Sequence, residues 1–164
     1  MLRPRRSVLY LPASSARALA KARQLRADVL VFDLEDAVAP ERKHQARQQL
    51  LAALAEGGYG RRELVVRVNA RGTPWYEADV EAVASSAADG LCLPKVEHAE
   101  DLVDVAWRLG QLASDRRFAL WSMAETPGSP EGKSKGHPFP AKRMALDRIA
   151  DYSLIRTHSS AAGV

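Results

Sequence analysis

Five short apolar runs recur along the chain at intervals of roughly 25–35 residues, and each is followed by a stretch patterned for a helix. This alternation constrains the fold more than any other feature. Residues 6–12 predict a first strand, closed by Pro12. Ser14 or Ser15 then caps a helix reaching about Arg26, with Leu19, Ala22 and Leu25 on its buried side. Residues 29–32, with Leu34 beyond, form a β-branched and aromatic run that reads as a strand buried on both faces. Pro40 suits the first turn of a helix over 41–56, which the glycines at 57, 58 and 60 stop. A third strand is expected at 63–69, a helix at 76–87, a fourth strand at 89–95, a helix at 99–112 and a fifth strand at 118–127. Successive βα units of this kind build a parallel sheet, so the fold class expected is α/β with a parallel sheet of (β/α) barrel type. About five of the eight βα units of a full barrel are present.

Polar residues collect where these strands end: Asp33, Glu35 and Asp36, then Arg67 and Asn69, Lys95, and Glu125. The C-terminal ends of the strands are where such barrels carry their chemistry. Three carboxylates within four positions repel one another and are costly to bury unpaired, so a cation or several donors are expected beside them. Arg67 lies inside an apolar strand, and alternation puts Val65, Arg67 and Asn69 on one face. Its guanidinium either pairs with a carboxylate of the neighbouring strand or grips a substrate carboxylate by two points. Lys95 is either a Schiff-base amine or a member of an ion pair, and His98 is a cap-region residue before the next helix.

The net charge is +4 and the sequence pI about 9.5, but the arginines are scattered among helices and aromatics make up only 6% of the chain. That combination argues against nucleic acid and for an anionic small molecule, either a phosphate-bearing cofactor or a carboxylic acid. The single cysteine, Cys92, stands between Leu91 and Leu93 and reads as a buried, inert thiol in a reducing compartment, which implies the cytoplasm. No apolar run approaches the roughly 20 residues that cross a bilayer, and the basic start is too short and mixed for a signal core.

The character changes after Pro127. Residues 128–140 are rich in Gly, Pro, Ser and Lys and read as a loop. Gly132-Lys133-Ser134 resembles the end of a phosphate loop, but Pro127 stands where that motif needs its first glycine. Residues 141–154 suit one amphipathic helix through Met144, Ile149 and Tyr152, 157–164 look unstructured, and no sixth strand is expected. The chain thus divides into a partial barrel over 1–127 and a divergent tail over 128–164.

The segments 6–12 (RSVLYLP), 33–40 (DLEDAVAP), 67–69 (RVN), 93–97 (LPKVE) and 125–127 (ETP) together resemble the citrate lyase β-subunit family. That family includes malyl-CoA lyases and related CoA-ester lyases of the phosphoenolpyruvate/pyruvate-type barrels. The resemblance implies a Mg²⁺-dependent carbon–carbon lyase that splits citryl-CoA or malyl-CoA into acetyl-CoA and a 2-oxo acid. It implies trimers or hexamers, with acyl-CoA and 2-oxo acid as small-molecule partners and neither nucleic acid nor membrane. Carried over by motif, Arg67 holds the 2-oxo acid carboxylate and Glu125 is one of two Mg²⁺ ligands. Glu35 and Asp36 border the site, and Arg5, Arg6 and Lys21 meet the coenzyme A phosphates. The family's second metal aspartate, in a G-x-x-D-L-like setting, has no match after Glu125, since Asp147 and Asp151 fall in the expected helix. The sequence therefore reads as the N-terminal part of a barrel, inactive by itself. The alternatives are an aldolase acting on a free 2-oxo acid without coenzyme A, and a non-catalytic fragment that associates through its open sheet edge.

Overall fold

The computed structural model describes residues 5–124 and the backbone of 149–156. The elements in order are β1 (Val8–Pro12), α1 (Ala16–Ala22), β2 (Val29–Asp33), α2 (Lys43–Glu56), β3 (Glu63–Arg67), α3 (Tyr76–Ser85), β4 (Gly90–Leu93), α4 (Ala99–Leu112), β5 (Phe118–Ala124) and β6 (Ile149–Arg156). All strands pair in parallel and lie in chain order, β1 beside β2 through to β6. A doubly wound sheet reverses its strand order at a switch point; this one does not, as barrel-type winding requires.

The period-two alternation of the strands divides the apolar residues into two cores. Leu30, Phe32, Val66, Leu91 and Leu120 face the helices and pack with Leu19, Leu50, Val80 and Val105. Val29, Val31, Val65, Cys92, Ala119, Trp121 and Met123 form a separate cluster on the opposite, inner face. The helices cover one face only, so β2 and β4, buried along their whole length, keep two distinct environments, whereas β1 leaves Val8 and Tyr10 exposed. Gly90 opens β4 because a Cβ there would stand 2.6 Å from the carbonyl oxygen of Ala119 on the next strand.

Most expected elements are present, with shorter ends. Ser15 caps α1 by accepting the N–H of Ala18. The helix stops at Ala22 instead of Arg26, because the N–H groups of Arg23, Gln24 and Leu25 bond three residues back, to Ala20, Lys21 and Ala22, tightening the last turn. Pro40 opens a single 3₁₀ turn, Pro40–Arg42, before α2. Gly57, Gly58 and Gly60 all take positive φ, 71°, 85° and 67°, as the stop after α2 requires.

The tail corrects the sequence reading. Residues 149–154, expected in a helix, belong to β6, a sixth strand that the sequence did not suggest. It pairs with β5 from Phe118↔Ile149 to Ala124↔Arg156, across one irregularity between Phe118 and Ala119. Residues 149–156 combine β-branched and aromatic residues with a spacing that also fits a helix. The free edge of β5 decides between the two, because its backbone groups need partners. Residues 125–148, with the loop expected at 128–140, and residues 157–164 lie outside the described residues.

Candidate functional site

Asp33 ends β2 and Arg67 ends β3, and the parallel register sets the two side by side on the inner face. Arg67 donates Nε to Asp33 Oδ1 at 2.8 Å and Nη2 to Asp33 Oδ2 at 2.5 Å, a two-point fork. The same carboxylate accepts the N–H of Glu35 at 2.7 Å and of Ala37 at 3.2 Å, which folds the chain after β2 back over the strand end. Asp33 is thus filled by four donors while only 3% exposed.

Arg67 keeps Nη1 for other partners. Glu35 Oε2 lies 3.1 Å away and Asp36 Oδ2 3.3 Å away, with Met123 Sδ at 3.8 Å and the Tyr10 ring centroid 5.8 Å from the guanidinium carbon. Burial works against the guanidinium's charge. The hydrogen bonds and charge of Asp33, with Glu35 and Asp36, outweigh it and raise the pKa above the ordinary arginine value.

Glu35 is the most conflicted group. It is 5% exposed, with Lys95 Nζ 2.9 Å from Oε1 and Arg67 Nη1 on Oε2. Both are charge contacts whose angles fall short of well-aligned hydrogen bonds. Burial pushes the Glu35 carboxyl above the usual range, and Lys95 and Arg67 only partly pull it back. Lys95 follows β4 with φ at 52°, the one non-glycine residue with positive φ among those described. Its side chain is 53% exposed.

Lys43, the first residue of α2, supports the site from beneath. It is buried and donates Nζ to the carbonyls of Leu34 at 2.8 Å and Glu35 at 2.6 Å, with the Trp75 ring 5.4 Å away. Burial holds its ammonium below the usual lysine value. Sequence reading passed over Lys43; its place at the start of a helix, right after the acidic loop, was the available signal.

Asn69 does not share the Arg67 cluster, contrary to the alternation argument. The strand ends at Arg67, and Asn69 gives both its backbone N–H (3.0 Å) and its Nδ2 (2.6 Å) to Asp79 of α3. Asp79, fully buried, also accepts from Arg47 of α2 at 2.7 Å. This node fixes the loop after β3 against two helices.

Arg5 and Arg6 lie at the other end of the sheet. Arg5 forks Glu63 at 2.6 and 2.7 Å, and Arg6 forks Asp28 at 3.0 Å on both contacts. Asp28 is held below the usual carboxylate range by the hydrogen bonds from Arg6. Lys21 is exposed on α1. The structure therefore does not bring Arg5 or Arg6 together with Arg67. Cys92 is buried, as expected. His98 stands at the N-cap of α4, where its backbone N–H meets Asp101 Oδ2 at 3.1 Å. Glu125 lies outside the described residues.

Among the described residues, no three carboxylate, histidine or cysteine groups converge as a metal cage. Asp33 is occupied by four donors, and Glu35 stands between two cations. What the cluster offers is a pair of cations, one buried and planar, one half-exposed, beside acidic oxygens at the C-terminal strand ends. That set suits recognition of a small organic anion. Among the described residues, no helix is long and apolar enough to cross a membrane.

Comparison with known proteins bears on this geometry. The family model described as HpcH/HpaI aldolase/citrate lyase matches residues 6–127. A (3S)-malyl-CoA thioesterase of Cereibacter sphaeroides is 49% identical over 123 residues, 75% of this chain and 41% of that protein. The citrate lyase subunit beta of Escherichia coli is 41% identical over 103 residues, 63% of this chain and 34% of that protein. The crystal structure of CitE from Mycobacterium tuberculosis in complex with magnesium, acetoacetate and coenzyme A superposes with a TM-score of 0.57 at 25% identity, covering 96% of this chain and 68% of that one. The chain spans about two fifths of the length of the malyl-CoA thioesterases it matches. The strand-end motifs, the chain-ordered parallel sheet and the matched span agree, and the chain belongs to the HpcH/HpaI aldolase/citrate lyase family.

Proposed function

We propose that the chain carries the anion-binding part of a CoA-ester lyase site, which cleaves the carbon–carbon bond of citryl-CoA or malyl-CoA to release acetyl-CoA and a 2-oxo acid. The observation that carries this reading is Arg67, buried at the strand ends with its fork anchored by Asp33 and its Nη1 directed at Glu35 and the exposed Asp36. Asp33 and Lys43 hold the guanidinium and the acidic loop in place before substrate arrives, so little ordering remains to be done on binding. Asp36 is 66% exposed and able to swing off Nη1, where a 2-oxo acid carboxylate would take its place beside Glu35. Glu35 and Asp36 border the reacting end.

Mg²⁺ and coenzyme A enter this reading through the relatives, and Glu125 is the residue assigned to the ion. Mg²⁺, when bound, would polarise the 2-oxo oxygen. No further step is assigned to it here. Arg5 and Arg6, engaged at the opposite strand ends, do not support the coenzyme A assignment; Lys21 remains a candidate. A homo-oligomeric assembly and a cytoplasmic setting belong to the same proposal.

The 49% identity to malyl-CoA thioesterases favours a second reading, hydrolysis of the thioester. The products separate the two. Incubation with malyl-CoA and Mg²⁺ yields acetyl-CoA and glyoxylate by the lyase route, or malate and free coenzyme A thiol by the hydrolase route. Acetyl-CoA without free thiol is expected once residues 1–127 are joined to the C-terminal half of a homologous barrel, with no appreciable turnover by the 164-residue chain alone. Stoichiometric thiol release would replace the lyase reading with the hydrolase one.

A further inference from the structure

We infer that Lys95 is a second anion-contacting residue of this site, which together with Arg67 selects a small organic acid bearing two acidic groups over one bearing a single group. The inference rests on the reading of Arg67 above and extends it to a residue that reading does not use.

Two independent observations carry it. First, Lys95 and Arg67 address opposite oxygens of one carboxylate, Glu35, at 2.9 and 3.1 Å. The buried Glu35 carboxylate therefore stands between the two cations, and a ligand that reaches both needs acidic oxygens on either side of it. The two cations differ in exposure: Arg67 is 9% exposed at the side chain and anchored by Asp33, whereas Lys95 is 53% exposed. Glu35, buried and held through its backbone carbonyl by Lys43, is a fixed rest for the ammonium. An arriving anion can draw Lys95 off Glu35 without moving buried groups.

Second, Lys95 adopts a left-handed backbone that a side chain with a Cβ takes up only at a cost, typically tolerated where the surroundings enforce it. A residue closing β4 in extended geometry would continue along the strand; the positive φ turns the chain, and the ammonium lies over the site. Glycine would relieve the strain, and lysine stands there instead. A ligand with one carboxylate on Arg67 Nη1 thus has a second cation within reach of a further acidic oxygen, which a monocarboxylate cannot use.

The test is an amide-shift NMR titration of the 164-residue chain with malonate and, separately, acetate, without metal. The unaltered chain should bind malonate at least about tenfold more tightly than acetate, the increment expected of one charge-assisted contact. Lys95→Met and Lys95→Gln should each lose that preference while keeping acetate affinity within about twofold, and Lys95→Arg should restore it. The malonate-to-acetate ratio is the informative quantity, because a purely structural role would lower both affinities together. A preference that survives in Lys95→Met and Lys95→Gln overturns the inference and leaves Arg67 as the anion site. Equal binding of the two anions by the unaltered chain also overturns it. Binding of neither anion overturns the Arg67 reading and the inference with it.

Discussion

The inner face of the sheet buries an arginine–carboxylate fork at each end, and the two forks differ in what is left over. At the N-terminal ends of the strands Arg5 meets Glu63 at 2.6 and 2.7 Å, its guanidinium carbon lies 4.9 Å from the centroid of the Trp121 ring, and the indole N–H adds a 3.4 Å contact to Glu63. Among the described residues, Arg5, Glu63 and the Trp121 ring pack together at that end. About 13 Å away, four residues further along the strands, Arg67 and Asp33 form a similar fork. There Glu35, Asp36 and Lys95 are added, with a carboxyl raised by burial and a strained backbone. A balanced pair stabilises or merely tolerates burial, whereas a crowded cluster holding a carboxyl raised by burial marks a candidate functional site. In a barrel-type sheet this is the division between the stability face and the chemistry face.

The comparison breaks most readily at Arg67. Arg67→Met strips the buried partner from Asp33 and from Glu35, and should cost about 3–5 kcal/mol in urea unfolding together with loss of acetate binding. Stability within about 1 kcal/mol of the unaltered chain would mean that the acidic loop relaxes into water and that the upper fork is not structural. Arg5→Met comes next, at about 3 kcal/mol, because Glu63 keeps the indole N–H and Arg5 itself is 21% exposed. Here anion affinity should not change; a fall would erase the distinction between the two ends.

The double change Arg5→Met/Glu63→Leu sharpens the contrast. Replacing a balanced buried pair by apolar groups is often neutral, so stability should return to within about 1 kcal/mol of the unaltered chain. A loss as large as the single variant's would show that the lower fork contributes net stability through its geometry.

The smallest effect concerns Glu35 and pH. Its folded carboxyl pKa is raised, chiefly by burial. The proton is therefore held more tightly in the folded than in the unfolded chain. The stabilisation this provides is complete below the unfolded pKa and is lost as pH rises through the raised folded value. Glu35→Gln, which has no such titration, should compare best with the parent at neutral pH. Its relative stability should decline as pH falls through that window, as read from urea midpoints at stepped pH. A constant difference across the window would mean that Lys95 and Arg67 fully compensate the burial.

Much of the upper site was readable beforehand because its residues are odd in their own strands. Arg67 breaks an apolar run, and three acids crowd the end of β2. Their proximity followed from parallel winding, since residues at equivalent strand ends must be neighbours. Asn69 was misassigned because alternation holds only while the strand lasts, and β3 ends at Arg67. The helix expected at 141–154 failed over 149–154 for a related reason. Local spacing fitted two periods, and only the open edge of β5 selected one.

By itself the sequence determined the alternation of βα units, the parallel sheet, the two-sided burial of β2 and the sharing of one strand face by Val65 and Arg67, because periodicity and apolar content act locally and survive any arrangement of neighbours. Tertiary structure alone decided which carboxylate takes the guanidinium fork and that Lys43 holds the acidic loop from beneath. It alone turned Lys95 over Glu35 and engaged Arg5 with Glu63 across a gap of 58 residues. The energies of these choices depend on desolvation and on competition among several partners within a few ångströms. Neither quantity exists until the chain has brought the groups together.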